Sequence, residues 1–177
     1  MPSKTNVQAS MKAKKNQKHH DQDKSRSKKV STDKSAKILC KECHAVYDGK
    51  SWKAFEKSNP RVLDQLHVGI CPACHEEIDH LSDGVLHLSG TGFVKNKAEI
   101  KNLIKNTAER EEERDILNRV ERMEDNKTEF VVYTTKNQLA VELGKKISAA
   151  HKGGTLDIKW SKNDKPVEVR WLFNLKK

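Results

Sequence analysis

The chain has 177 residues, 34% apolar and 34% charged, with a mean hydropathy of −0.87 and a formal net charge of +10. That is too polar for one large core, so the composition predicts one or two small folded units plus a disordered portion. No apolar run approaches bilayer length and no apolar signal core follows the basic N-terminus, so the expected compartment is the reducing cytoplasm, with no membrane partner.

The charge is unevenly spread. Residues 1–38 hold 11 Lys/Arg against 3 Asp/Glu, a net of +8. Residues 39–94 hold 5 against 8, a net of −3, and residues 95–177 hold 19 against 14, a net of +5. Residues 1–37 are rich in Lys, Ser, Gln and Asn and nearly devoid of apolar side chains, so they cannot bury enough surface to offset the entropy of ordering. They are expected to form a disordered basic tail. Lys12, Lys14, Lys15, Lys18, Arg26, Lys28 and Lys29 would neutralise nucleic-acid phosphates. The alternative is a solubilising extension.

Residues 38–94 contain every cysteine of the chain, as two Cys-x-x-Cys pairs, Cys40/Cys43 and Cys71/Cys74. Two such pairs match a closed tetrahedral Zn2+ site, with two thiolates from each tight turn. Two disulfides would need an oxidising compartment. A thioredoxin-like dithiol at Cys71-Pro72-Ala73-Cys74 would need a surrounding βαβ unit and would leave the first pair unexplained. His44 and His75 each follow a knuckle cysteine, but four thiolates already complete the shell, so both are read as outer-sphere donors or solvent-facing side chains. Ile38-Leu39 predicts a short strand, Tyr47-Asp48-Gly49-Lys50 a turn and Ser51-Trp52-Lys53-Ala54-Phe55 a capped helical turn. Arg61 to Leu66 gives a further apolar-dotted piece. Asp83-Gly84 and the alternation of Val85, Leu86, His87 and Leu88 suggest a local hairpin around residues 77–94, closed by a turn at Gly90-Thr91-Gly92.

Residues 97–124 read as helical. Ile100, Leu103, Ile104 and Ala108 recur at helical spacing, as do Ile116, Leu117, Val120 and Met123. The charged run Glu109 to Asp115 between them would either break the helix or cross solvent with self-paired side chains. Residues 129–173 have the cleanest pattern. Phe130-Val131-Val132-Tyr133 predicts a buried strand. Thr135 and Gln138 have capping-box spacing before a helix whose apolar face is Leu139, Ala140, Leu143 and Ile147. That helix should stop near Gly153-Gly154. Leu156, Ile158 and Trp160 alternate with polar residues, as do Val167, Val169, Trp171 and Phe173. The result is β-α-β-β, a small sandwich with helices on one face of a mostly antiparallel sheet. Trp160, Trp171 and Phe173 are read as core rather than as a base-stacking platform. Lys159, Lys162, Lys165 and Arg170 are the expected nucleic-acid contacts of this half. No catalytic constellation or phosphate-loop motif is found, so the chain is read as a non-enzyme.

A two-knuckle zinc module, a charged helix, Phe130-Val131-Val132-Tyr133-Thr134-Thr135, Leu139-Ala140-x-x-Leu143-Gly144, Gly153-Gly154 and a terminal hairpin follow in that order. Over roughly residues 38–173 this order resembles the bacterial and archaeal relatives of the large-ribosomal-subunit nuclear-export adaptor. The family joins Cys-x-x-Cys zinc knuckles to small α+β modules that rest on the ribosomal subunit, and Cys40, Cys43, Cys71 and Cys74 match its metal positions. The export-signal regions and extra knuckles of eukaryotic members are not found here.

The resulting expectation is an α+β protein in three parts. Residues 1–37 are the tail, 38–94 a four-cysteine, zinc-ribbon-like module, and 95–177 a long charged helix plus the β-α-β-β domain. Its function would be to bind RNA, with the resemblance implying ribosomal RNA and a ribosomal protein contact through the acidic zinc module. A DNA-linked regulator, or an accessory subunit docking through the zinc module, are the competing readings.

Overall fold

A computed structural model describes residues 37–58, 66–126, 129–160 and 166–174. The basic tail and the turn holding Lys162 and Lys165 lie outside the described residues, as do Arg61 to Gln65. What is described is a mixed α+β protein with two sheets in one compact unit.

The first sheet has the order β3-β2-β1-β4, formed by β1 (Lys37–Cys40), β2 (Val46–Tyr47), β3 (Trp52–Lys53) and β4 (Leu66–Gly69). β1 runs antiparallel to β2 and parallel to β4. The expected turn lies between β2 and β3, where the Asp48 carboxylate accepts the backbone N–H groups of Lys50 and Ser51, both at 2.9 Å. This local bonding is what Asp offers a turn. It returns the chain antiparallel, so Trp52 pairs with Tyr47 across the ladder and their rings sit 5.5 Å apart. The helical turn expected at Ser51 to Phe55 is therefore a strand, and a 3-10 turn follows at Phe55–Lys57.

Helix α1 (Pro72–Asp79) leads to β5 (Gly84–Ser89), the central strand of the second sheet, whose order is β6-β7-β5-β9-β8. The other members are β6 (Val120–Asp125), β7 (Glu129–Thr134), β8 (Thr155–Lys159) and β9 (Val167–Leu172). β5 pairs antiparallel with β7 and parallel with β9, so the local hairpin expected at residues 77–94 does not form. Its alternation was that of a strand, but its partners lie far along the chain. Gly84 marks the tight meeting with the following layer: a Cβ there would come within 2.5 Å of Thr134 Oγ1 and 2.7 Å of the Ala140 methyl.

Helix α2 (Thr91–Arg114) starts from Gly90, whose φ of 102° suits glycine, and kinks at Asn96. It stops within the charged run, at Arg114. Asp115 is extended, and its carboxylate accepts the Leu117 N–H and pairs with Lys136. The apolar residues Ile116, Leu117, Val120 and Met123 therefore continue as a loop and strand β6, not as helix. Helix α3 (Asn137–Ala150) buries Leu139, Ala140, Leu143 and Ile147 as expected. Thr135 does not cap it; its Oγ1 donates to the Leu117 carbonyl and accepts the Arg119 N–H, fastening the loop before β6.

The main core lies between the second sheet and helices α2 and α3. Leu86, Leu88, Phe130, Val132, Val169 and Trp171 from the sheet meet Ile100, Ile104, Leu139, Leu143 and Ile147 from the helices. Burying each such side chain stabilises by about 1.5–3 kcal/mol. The opposite face carries paired polar side chains, including the ion pair of Arg170 with Glu168 and the contact of His87 Nδ1 with Glu129. Trp171 and Phe173 are core, but Trp160 is 61% exposed. It lies one residue beyond β8, an edge strand among the described residues.

Candidate metal centre

Each cysteine pair is placed by strand-to-turn geometry. Cys40 ends β1, and the turn that follows carries Cys43 back toward β2. The Cys40 N–H donates to the Ala45 carbonyl (2.8 Å) and the His44 N–H to the Cys40 carbonyl (3.0 Å), closing the knuckle. His44 takes a left-handed φ of 60° to do so. Cys71 follows β4 and caps α1. Pro72 sits at the start of that helix, where a missing N–H costs nothing, and the Cys74 N–H reaches Cys71 Sγ at 3.4 Å. The parallel pairing of β1 with β4 sets Cys40 beside Gly69, which brings the two knuckles together. The Cys71 N–H then donates to Cys40 Sγ at 3.3 Å.

The four sulfurs lie within 4.8 Å of one another, and Cys43 and Cys71 are 3.6 Å apart. A tetrahedral thiolate site with metal–sulfur bonds of about 2.3 Å has sulfurs about 3.8 Å apart, so the donor set fits a metal ion. The cysteines are free rather than paired as disulfides. The second knuckle does follow a strand and open a helix, as a dithiol motif would. However, β4 and β5 on either side belong to different sheets, and the first knuckle closes onto it. Among the described residues this is the one gathering of His, Cys, Asp or Glu ligand atoms of metal-site size. His44 and His75 are not in it, and His75 instead pairs with Asp79 at 3.2 Å.

Cys40, Cys71 and Cys74 are buried and Cys43 is half-buried. Burial pushes the Cys40 thiol up, but backbone donors at Cys43, Cys71 and Glu42 outweigh it and leave it at about 7. Burial, reinforced by the neighbouring Cys74 and Cys40 sulfurs, pushes Cys43 up to about 11, and burial likewise pushes Cys71 up. Four thiolates so close together need a cation to coexist.

Part of that positive charge comes from the loop that leads into the second sheet. Arg119, in the loop between α2 and β6, places its guanidinium 3.4 Å from Cys74 Sγ and 3.9 Å from Cys71 Sγ, with Glu77 at 3.5 Å. Its side chain is only 12% exposed. Burial opposes its charge, but the Cys74 sulfur and Glu77 hold it firmly protonated. Ile116 and Leu117 from the same loop pack on the cysteine cluster beside Trp52. The sequence reading missed Arg119, and nothing in its own neighbourhood marks it.

The residues expected to touch nucleic acid are placed differently. Lys159 pairs with Asp157 at 3.7 Å and Arg170 with Glu168 at 2.8 Å, so each already has an acidic neighbour on its own strand. Exposed Trp160 lies beside Gln138, Val141, Glu142 and Lys145 of α3 around a shallow hollow of about 390 Å³, with Glu142 paired to Lys146 at 2.7 Å. None of the helices among the described residues is long and apolar enough to cross a membrane. No family model matches the chain, and neither a curated protein nor a solved structure matches it significantly.

Proposed function

We propose that the protein is a non-enzymatic, cytoplasmic zinc protein that binds RNA and works on the ribosome. The observation that carries this reading is the charge partition of the sequence. Residues 1–38 hold a net of +8 without an aromatic side chain, ahead of a cysteine-bearing segment with a net of −3. Such an arm supplies salt-sensitive affinity for phosphate. The folded part is joined through a four-sulfur centre, and zinc is the ion that suits a closed, redox-silent shell of four thiolates. Trp160 supports the RNA reading, since an exposed indole beside Lys145 offers a face on which an unpaired base can stack. The resemblance to ribosome-bound zinc-knuckle proteins favours ribosomal RNA over other RNA. Co-sedimentation with ribosomes, with and without ribonuclease and at two salt concentrations, tests the proposal. Ribosome-bound protein that ribonuclease releases supports it, and protein that stays in the supernatant at low salt contradicts it.

A further inference from the structure

Among the described residues no aromatic ring packs on the exposed indole of Trp160 and no cation lies over it. Two other partly exposed rings are already covered: Trp52 packs with Tyr47, and Arg122 sits 3.6 Å from the ring centre of Tyr133. Trp160 shares its hollow with one apolar residue of α3, Val141, and three polar ones. Glu142 is held by Lys146 at 2.7 Å. Lys145 is exposed and faces no carboxylate within ion-pair distance among the described residues. Gln138 is exposed too. Because Thr135 bonds to the loop before β6 and forms no capping box, the Gln138 amide is left unengaged among the described residues. The hollow therefore combines an open indole face, a free amide and a free ammonium.

We propose that this hollow binds one unpaired adenine of a single-stranded RNA. The indole stacks on the base, the Gln138 amide pairs with its edge and Lys145 holds a neighbouring phosphate. The inference rests on the RNA reading above and names the base that the folded part selects. An indole stacks on any unpaired base, so stacking favours a single strand over a duplex without choosing the base. The choice comes from the amide. Its donor and acceptor lie side by side, the complement of the amino group and ring nitrogen of adenine. The Glu142 carboxylate acts in the same sense, because it attracts an exocyclic amino group and repels the carbonyl oxygens of uracil. Cytosine offers a similar edge on a smaller ring, with less surface to stack. Lys145 acts as a point charge on phosphate and is indifferent to sequence. The basic arm thus supplies affinity, and this hollow supplies preference.

The test is fluorescence anisotropy with the metal-loaded full chain at physiological salt. The probe is a short labelled oligouridine with one central adenosine. It is compared with the same oligomer carrying purine riboside there, which stacks alike but lacks the amino group, and with plain oligouridine. The adenosine oligomer should bind about fivefold more tightly than the purine riboside one, the lower end of what an amide–adenine pair discriminates. Gln138→Leu should erase that difference. Trp160→Ala should weaken both purine oligomers about tenfold. Lys145→Gln should weaken all three oligomers. Lys95→Gln removes an exposed lysine of α2 that does not line the hollow, and it should weaken them far less. Equal affinity for the adenosine and purine riboside oligomers would overturn the inference, as would a preference that survives Gln138→Leu or binding untouched by Trp160→Ala. Equal losses from Lys145→Gln and Lys95→Gln would do so as well, by reducing the effect to bulk charge. Each of these outcomes leaves RNA binding through the arm intact. Failure of the full chain to bind any of the oligomers would instead remove the RNA reading, and this site with it.

Discussion

The Arg119 guanidinium sits 3.4 Å from Cys74 Sγ although the two residues are 45 positions apart. This contact ties the cysteine cluster to the second sheet, because the loop carrying Arg119 is itself fastened by Thr135 at the end of β7. A hydrogen bond to a charged group contributes about 1.5–3 kcal/mol. Arg119→Met should therefore speed metal loss to a chelator about tenfold or more and lower the melting temperature, while Arg119→Lys recovers part of both. Metal release followed with a colorimetric chelator is the check. Unchanged release from Arg119→Met would show that the guanidinium only fills space.

The central place of β5 changes which fragment can fold. A piece beginning at residue 95 retains β7 and β9 but lacks the strand that joins them, so it should be unfolded. A piece beginning at Leu81 keeps all five strands and should fold without metal, less stably than the parent because Arg119 has lost its sulfurs. Amide NMR dispersion of the two fragments decides the matter. A well-dispersed spectrum from the shorter one would contradict the assigned topology.

Trp171 is fully buried and in tilted contact with Phe173, their ring centroids 5.0 Å apart. Trp171→Ala should cost about 3–5 kcal/mol. Trp160 has the opposite character, at 61% exposed. Trp160→Ala should leave the urea midpoint nearly unchanged while weakening single-stranded RNA binding by about 1–3 kcal/mol, as expected for one stacked base. A large stability loss with RNA affinity intact would return Trp160 to a packing role.

Removing residues 1–36 should weaken RNA binding for all sequences alike and flatten its salt dependence. Each phosphate released from contact lowers the logarithmic slope by about 0.7 for single strands. Preference for a ribosomal particle over free RNA should stay with the rest of the chain. Unchanged affinity and slope in the truncated protein would reduce the arm to a solubilising extension.

The gathering of the four cysteines was legible in the sequence because a Cys-x-x-Cys knuckle is a local object: its spacing alone fixes two sulfurs on one turn. The β7-α3-β8-β9 run was legible for a similar reason, since its apolar periods change cleanly from two to 3.6 and back. What escaped depends on distant parts of the chain. The alternation in β5 identified a strand but not its partners, because the pairing of Leu86 with Val169 is set by the whole sheet. Val120 and Met123 stand at a separation that suits a helix, and only the stop at Asp115 turns them into a strand. Trp160 continued a core-facing alternation past the point where the edge strand ends. Arg119 looked like one of many surface cations until the fold brought it against the sulfurs.

The most direct test is the metal itself. Protein purified without chelator should carry one zinc per chain, and zinc-edge X-ray absorption should report four sulfur ligands at about 2.3 Å. Cys71→Ser should lose that metal and loosen the first sheet, since binding and folding of such sites are coupled. Metal-free protein in which Cys40, Cys43, Cys71 and Cys74 form two disulfides, or a zinc shell containing fewer than four sulfurs, would contradict the account.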